Sequence, residues 1–494
     1  YCVNLWSFKP VVLRKSLDNN PFSLGDSLQE RIGDYAIVHI DEEFDFDGVI
    51  FQISFTAFGR TYVVILNPDA GSFDPYYRLI VGGERSMLSD RSYHFHGHLE
   101  GNPLHSAILS RIQPGVYIGS IFIGNDWIHI EPASIHHLST DERDMLVFRS
   151  STFKVSTISR MLSQDGLFVP LNIPFVTTLK DKEIAVGRVR REMRATENEV
   201  RNRCPLKIVA DYKFFSIVGK NNTALTTRYI VNMVAKVNEI YTVVNWDEGE
   251  DETELDRGRF VNMGFSIKEL KILDKPSNQA GHYNSHDVVN NGVWNSNRLL
   301  EAFTRAEGSP DFCLVHLLTA QSFADSAHIG LAYVADSRGG PGGICSDSAF
   351  VLDRQISFNT VFTSAIGNTG LQDYPLVTKE AEIVVAHEYA HSWGAQHDGL
   401  ERDADDREKC LPDYSEGGNY IMHMYAQNGY DPNNIRFSPC SRRSIRRMLE
   451  RRWYRCFEPE KALFCGNGVV EEGEECDEGN FLKMNGKQLE SVRV

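Results

Sequence analysis

The chain reads as a multidomain protein. A β-rich N-terminal domain comes first, then an α/β domain whose mixed sheet is flanked by helices. Three observations carry this expectation. The 494 residues exceed what a single hydrophobic core sustains. After residue 191 the hydrophobic pattern changes from strand-like runs alone to strands alternating with helical periods. The nine cysteines are uneven, with only Cys2 preceding Cys204.

In the first region, residues 35–40, 49–55, 62–66 and 119–123 are β-branched and aromatic runs that read as strands. His94, His96 and His98 alternate, so a strand would present all three on one face. An exposed polar face accounts for that alternation better than a second metal site does. The region ends at the basic cluster Arg188-Val189-Arg190-Arg191. With Arg188, Arg190 and Arg191 at the change of composition, the cluster reads as a processing site for a proprotein convertase of the furin type. The first expected division therefore falls after residue 191.

Beyond the cluster, residues 206–210 form a short apolar strand, and Tyr229, Ile230, Met233, Val234, Val237, Ile240 and Tyr241 follow a helical period. A strand over 265–273 and a helix marked by Leu299, Leu300 and Phe303 come next. Strands over 312–318 and 329–334 precede a helix that Thr378 would cap, with Glu380 and Glu382 suited to its positive end. Ser441 would cap a last helix carrying Ile445, Met448, Leu449 and Trp453.

A net charge of −16 and a pI near 5.5 argue against nucleic acid as the main partner. Residues 247–256 are strongly acidic and read as a solvated loop. No segment is apolar for long enough to span a bilayer. The chain opens on Tyr1 without a signal-peptide pattern and stops without structural punctuation, which reads as a piece of a longer protein. No C-x-x-C pair occurs, so the cysteines fit a disulfide framework in an oxidising compartment better than a zinc cluster. The sequon Asn221-Asn222-Thr223 offers Asn221 for glycosylation.

Residues 387–398 carry the chemistry: His-Glu-Tyr-Ala-His-Ser-Trp-Gly-Ala-Gln-His-Asp. The run fits H-E-x-x-H-x-x-G-x-x-H. His387 and His391 lie four apart, hence on one helical face, and can ligate one Zn2+. Glu388 is placed to reach a water on the metal rather than the metal itself. Gly394 lets the chain leave the helix and bring back His397 as third ligand, with a fourth position open for water. Three protein ligands and an open position describe catalytic zinc.

The chain resembles the ADAM family, a disintegrin and metalloproteinase, and within it the tumour-necrosis-factor-α converting type. The resemblance runs strongly from about Arg188 to Glu478. It rests on residues 204–211 (Cys-Pro-Leu-Lys-Ile-Val-Ala-Asp), 329–334 (Ile-Gly-Leu-Ala-Tyr-Val), the zinc motif, 417–422 (Gly-Gly-Asn-Tyr-Ile-Met), 433–441 and 465–477. It implies a β-rich prodomain over 1–191, a reprolysin-like metzincin catalytic domain over 192–457 and a truncated disintegrin module over 458–494.

The resemblance further implies a zinc endopeptidase, made as a zymogen, that sheds cell-surface ectodomains. Met422 would be the Met-turn residue beneath the ligands. Ile329, Gly330, Leu331 and Ala332 would bind the substrate backbone as an edge strand, and Ala426 would help form the S1′ wall. Disulfides are implied between Cys204 and Cys313, Cys345 and Cys456, and Cys410 and Cys440. The substrates would be extended peptide stalks, the location the secretory pathway and cell surface, and a membrane anchor is expected in the full-length protein.

Two departures stand out. Family prodomains often cap the zinc with a cysteine, and none occurs here between Cys2 and Cys204. The prodomain is therefore expected to occupy the cleft or to assist folding without a thiol–zinc bond. Tyr389-Ala390 and Ser392-Trp393 differ from relatives within the motif, which bears on specificity.

Overall fold

Strand-forming runs separated by tight turns build the first half of the computed structural model. It describes residues 28–29, 32–44, 50–68, 73–86, 94–124, 126–152, 200–247, 259–285, 293–323, 328–335, 341–351, 354–368, 373–399, 409–425, 427, 429 and 431–460. The N-terminal strands are β1 (Tyr35–Val38), β2 (Asp41–Phe44), β3 (Ile50–Ala57), β4 (Arg60–Pro68), β5 (Phe73–Val81), β6 (Glu84–Ser86), β7 (His94–Leu99), β8 (Asn102–Gln113), β9 (Val116–Ile123), β10 (Asp126–Pro132) and β11 (Met145–Arg149). Nine of them form an antiparallel sheet in the order β1-β11-β10-β9-β8-β7-β4-β3-β2. Alternation buries one face: Ile53, Phe55 and Ala57 on β3 turn inward while Ser54 is half-buried and Thr56 faces water.

The second half begins with β12 (Arg201–Ala210), α1 (Tyr212–Ile217), α2 (Thr223–Thr242), β13 (Gly264–Ile272), α3 (Ser296–Glu307), β14 (Leu314–Thr319) and β15 (Gly330–Ala332). It continues with β16 (Ser348–Val351), β17 (Arg354–Ser357), β18 (Thr360–Ser364), β19 (Ile366–Asn368), β20 (Asp373–Pro375), α4 (Thr378–Ser392), α5 (Pro439–Cys456) and β21 (Glu458–Pro459). Its sheet runs β15-β18-β14-β12-β13-β5-β6, with β21 also paired to β12. Strands β18, β14, β12 and β13 are mutually parallel and β15 is antiparallel to β18. The sheet is thus mixed, and helices cover it. No helix among the described residues is long and apolar enough to cross a membrane.

Two features of this sheet lie outside the sequence expectation. β18 separates β14 from β15, which places a strand where the hydrophobic pattern alone marks none. The hairpin β5–β6 leaves the first sheet between β4 and β7 and pairs with β13, in parallel, with Leu79 opposite Leu270 and Ile80 opposite Lys271. Arg78 then meets the nearly buried Glu269 at 2.7 Å. The regions also share one apolar core, and Arg228 on α2 donates to the carbonyls of Arg111 and Ile112 on β8.

Three local expectations are corrected. Helix α4 starts one residue earlier than Thr378 capping requires: Val377 holds the cap position and Thr378 is already helical. Helix α5 is capped by Ser438, whose hydroxyl accepts from the Ser441 amide, with Pro439 in the first turn. Asp247 is buried rather than solvated, and its carboxylate accepts from the Phe260 amide at 2.8 Å. The remainder of the acidic run lies outside the described residues.

Candidate active site

Helix α4 is buried along its whole length between the sheet and α2. Tyr241 on α2 donates its hydroxyl to the Ala386 carbonyl at 2.8 Å, and His316 on β14 meets the Tyr389 hydroxyl at 2.9 Å. These contacts fix the helix one residue before and two residues after His387. Tyr389 and Trp393 are fully buried, packed against Phe265, with Trp393 also against Tyr241. The motif's unusual residues therefore belong to the core, which corrects the expectation that they bear on specificity.

The structure brings His387, His391 and His397 together. Their Nε2 atoms lie 3.1, 3.3 and 3.1 Å apart. Three donors at Zn–N distances of about 2.0–2.1 Å in a tetrahedral arrangement are separated by about 3.3 Å. The triangle fits. His387 Nδ1 faces the Ile421 carbonyl at 2.6 Å and His391 Nδ1 faces the Ala395 carbonyl at 2.9 Å. A carbonyl only accepts, so each Nδ1 carries the proton and each Nε2 presents its lone pair to the common centre.

Burial also holds the rings neutral, the form that ligates. Burial first, then neighbouring His397, pushes His387 down to about 3. Burial, then His423, takes His397 to about 4. His391 is driven well below the ordinary range by burial and then by its two partners.

Gly394 has φ of +100°, the left-handed turn that ends the helix, and its amide donates to the His391 carbonyl at 2.9 Å. The turn delivers His397, and Asp398 then anchors it. The Asp398 amide donates to the Met422 carbonyl at 2.8 Å, and its carboxylate accepts from Ser438 and Ser441 at the head of α5. Met422 is fully buried, next to the Ile421 carbonyl that orients His387. Ser438 and the Asp398 carboxylate escaped sequence reasoning, although Ser438-Pro439 is a helix-start signal that could have found them.

Glu388 is buried and lies against the outer strand β15. A Cβ at Gly330 would come within 2.5 Å of Glu388 Oε1, so only glycine lets the strand approach this carboxylate. Ile329, Gly330, Leu331 and Ala332 are all nearly inaccessible, and β15 occupies the end of the sheet. Disulfides join Cys204 to Cys313, Cys345 to Cys456 and Cys410 to Cys440.

Asn221 is exposed in the turn before α2, with φ of +57°. His94 is buried and bonded to Ser110 at 2.6 Å while His96, on the same face with its ring 6.2 Å away, is exposed, so the alternating histidines share a face and differ in burial. Cys2, Arg188, Arg190, Arg191, Ala426, Cys465 and Cys476 lie outside the described residues.

A profile of the reprolysin-like metallopeptidase family M12B matches residues 223–451. The chain is 42% identical over 431 residues to a disintegrin and metalloproteinase domain-containing protein 17 homolog of Caenorhabditis elegans, covering 86% of this chain and 61% of that protein. It is 27% identical to the human disintegrin and metalloproteinase domain-containing protein 10, over 90% of this chain and 57% of that one. A zinc metalloprotease of Schizosaccharomyces pombe, mde10, matches at 35% identity over 114 residues, 21% of this chain and 22% of that protein. The chain thus spans about three fifths of the length of the first two relatives. By the matched metallopeptidase profile, the converging histidines and the similarity along most of its length, the chain belongs to the ADAM family of disintegrin and metalloproteinase proteins.

Proposed function

We propose that the chain is a zinc metalloendopeptidase, made as a zymogen, that hydrolyses extended peptide stalks of cell-surface proteins. The observation that carries this is the triangle of Nε2 atoms beside a buried glutamate and a sheet-edge strand. His387, His391 and His397 would hold the ion. Zinc, when bound, acidifies a coordinated water and polarises the scissile carbonyl.

The residues of the chain supply the rest. Glu388 takes the proton of the attacking water and delivers it to the leaving amine. Its burial beside Gly330 keeps that proton from bulk solvent. Strand β15 pairs its outer backbone edge with an extended substrate and sets the peptide across Glu388. The Ile421 and Ala395 carbonyls hold two imidazoles in the ligating tautomer. Buried Met422 would form the floor beneath the ligands, and the S1′ wall is assigned to Ala426, outside the described residues, by the family resemblance alone.

In this reading, residues 1–191 are a prodomain removed by a furin-type convertase after Arg191, 192–457 the protease and 458–494 the start of a disintegrin module. Location in the secretory pathway and at the cell surface, a membrane anchor in the longer protein and glycosylation at Asn221 belong to the same proposal, supported by the ADAM relatives and the disulfides.

The test is cleavage of an unbiased peptide library by the protein released at Arg191, with and without a zinc chelator. Chelator-sensitive endopeptidase products are expected. Cleavage that persists after chelation, or none with zinc supplied, overturns the reading.

A further inference from the structure

Helix α4 lacks an N-cap side chain of its own. Val377 occupies the cap position, and a valine side chain accepts no hydrogen bond. Glu380 reaches back to the Val377 amide at 3.1 Å, which answers one donor. The next, the Thr378 amide, is answered by Glu131, which lies 247 residues upstream on β10. Glu131 Oε2 accepts from the Thr378 amide at 3.1 Å and also from its hydroxyl. The carboxylate is 1% exposed, and His136 Nε2 lies 3.1 Å from its other oxygen. A buried carboxylate at the positive end of a helix is a strong contact, because both hydrogen bonds and the helix dipole favour it.

The same face of the N-terminal sheet brings apolar cover. Leu28, Ile32, Ala133, Leu146 and Phe148 form one buried cluster with Ile329, Tyr374, Leu376, Val377, Ala381 and Val384. Ile329 directly precedes the strand that meets Glu388, and Val384 lies one helical turn before Glu388 on α4. The apolar wall beside the catalytic glutamate is therefore occupied from within the chain. Lys379, the residue after Thr378, adds a cation–π contact to Trp127 of β10 at 5.9 Å.

We propose that the Glu131–Thr378 contact is the latch that keeps the uncleaved chain inactive, by seating Leu28, Ile32 and Phe148 over the Ile329–Val384 wall beside Glu388. The inference rests on the metallopeptidase reading and supplies the restraint that a cysteine–zinc bond does not. No bond is made or broken in it. Release of the N-terminal region withdraws the Glu131 carboxylate and bares the wall to a substrate side chain.

The experiment uses the whole chain with Arg188, Arg190 and Arg191 replaced by alanine, so that it stays uncleaved. Hydrolysis of an internally quenched peptide is compared between this parent and its Glu131→Ala, Glu131→Gln and Ile32→Asp variants. Amide exchange over Thr378–Glu382 shows whether the latch has opened. Glu131→Ala should raise turnover about tenfold or more, the worth of one charge-assisted contact. Glu131→Gln keeps an acceptor for Thr378 and should raise it less. Ile32→Asp should activate as well, through the apolar arm, and it serves if Glu131→Ala does not fold.

Parental activity in a folded variant whose Thr378–Glu382 amides exchange faster overturns the latch. So does a silent, folded Ile32→Asp. If the enzyme released at Arg191 from the natural chain is itself inactive, the peptidase reading fails and takes this inference with it. An active released enzyme beside silent uncleaved variants sinks the latch alone.

Discussion

The two sheets of this molecule are built on opposite principles. In the first, every pairing is antiparallel and most partners are neighbours in sequence, so the sheet closes through tight turns. Its described residues contain no cysteine. In the second, parallel strands must be joined by long crossover connections, and all three described disulfides belong to that half. Non-local pairing costs more loop-closure entropy, and covalent closure reduces it. The chemistry sits in the second sheet, where a buried helix crosses beside the outer strand. The first sheet contributes contacts and no reacting group. Position and chemistry are thereby divided between the two.

The sharpest way to break that division is at Glu388. Glu388→Gln should keep the fold and the metal and lower turnover by about 10²–10⁴-fold, the usual worth of a general base. His94→Ala with His96→Ala and His98→Ala should leave the zinc content of the uncleaved chain unchanged. Peptidase assays with metal analysis check both. Near-normal activity in Glu388→Gln would place the base elsewhere.

Next in size is the covalent closure of the second sheet. Cys204–Cys313 spans 109 residues and ties β12 to the residue before β14. Replacing both cysteines by serine should cost about 2–5 kcal/mol, measured by denaturant unfolding. A loss below about 1 kcal/mol would mean that the parallel sheet needs no staple.

How much of this was legible follows from distance along the chain. The histidine triangle was readable because His387, His391 and His397, with Gly394 at the turn, stand at fixed local offsets that one helix and one turn translate directly into space. Strands with dense apolar runs, such as 206–210 with its single lysine, were readable for the same reason. β18 (Thr-Val-Phe-Thr-Ser) was not, since two polar threonines and five residues give no clear period. Nor was the β5–β13 pairing, whose partners are 191 residues apart at Leu79 and Leu270. Thr378 looked like a cap because its residue type is right. The acceptor that actually answers its amide comes from Glu131, which no local pattern connects to it. Tyr389 and Trp393 were expected to bear on specificity, but a helix buried on all sides leaves them no exposed face.

The hairpin tests whether the two sheets are energetically one body. Leu79 is buried, and a charge there would be taken out of water. Leu79→Asp should destabilise the whole chain by about 2–3 kcal/mol and speed amide exchange in β13, although β13 itself is unaltered. Unchanged exchange over Gly264–Ile272 would show that β5 rests on the sheet without supporting it.

The smallest effect concerns pH and a single carboxyl group in the second sheet. Asp211 is buried where β12 gives way to α1 and accepts from the Phe214 amide and the Thr319 hydroxyl. Burial raises it from 3.8 to about 6, more than these hydrogen bonds and Lys213 lower it. For an acid, a raised folded-state pKa means the folded protein holds the proton more tightly than the unfolded chain. The stability contributed by this group is therefore full below about pH 4, falls as pH rises through the window to about 6, and stays lower above it. Asp211→Asn is neutral throughout and can still accept from the Phe214 amide. Its stability relative to the natural protein should thus climb between about pH 4 and 6 and then level. The shift corresponds to about 3 kcal/mol. The weaker hydrogen bonds of a neutral amide offset part of that, leaving a net gain of about 1 kcal/mol at neutral pH. Denaturant unfolding at a series of pH values checks it. A difference that shrinks as pH rises would have the wrong sign, and would mean that hydrogen bonding rather than burial governs Asp211.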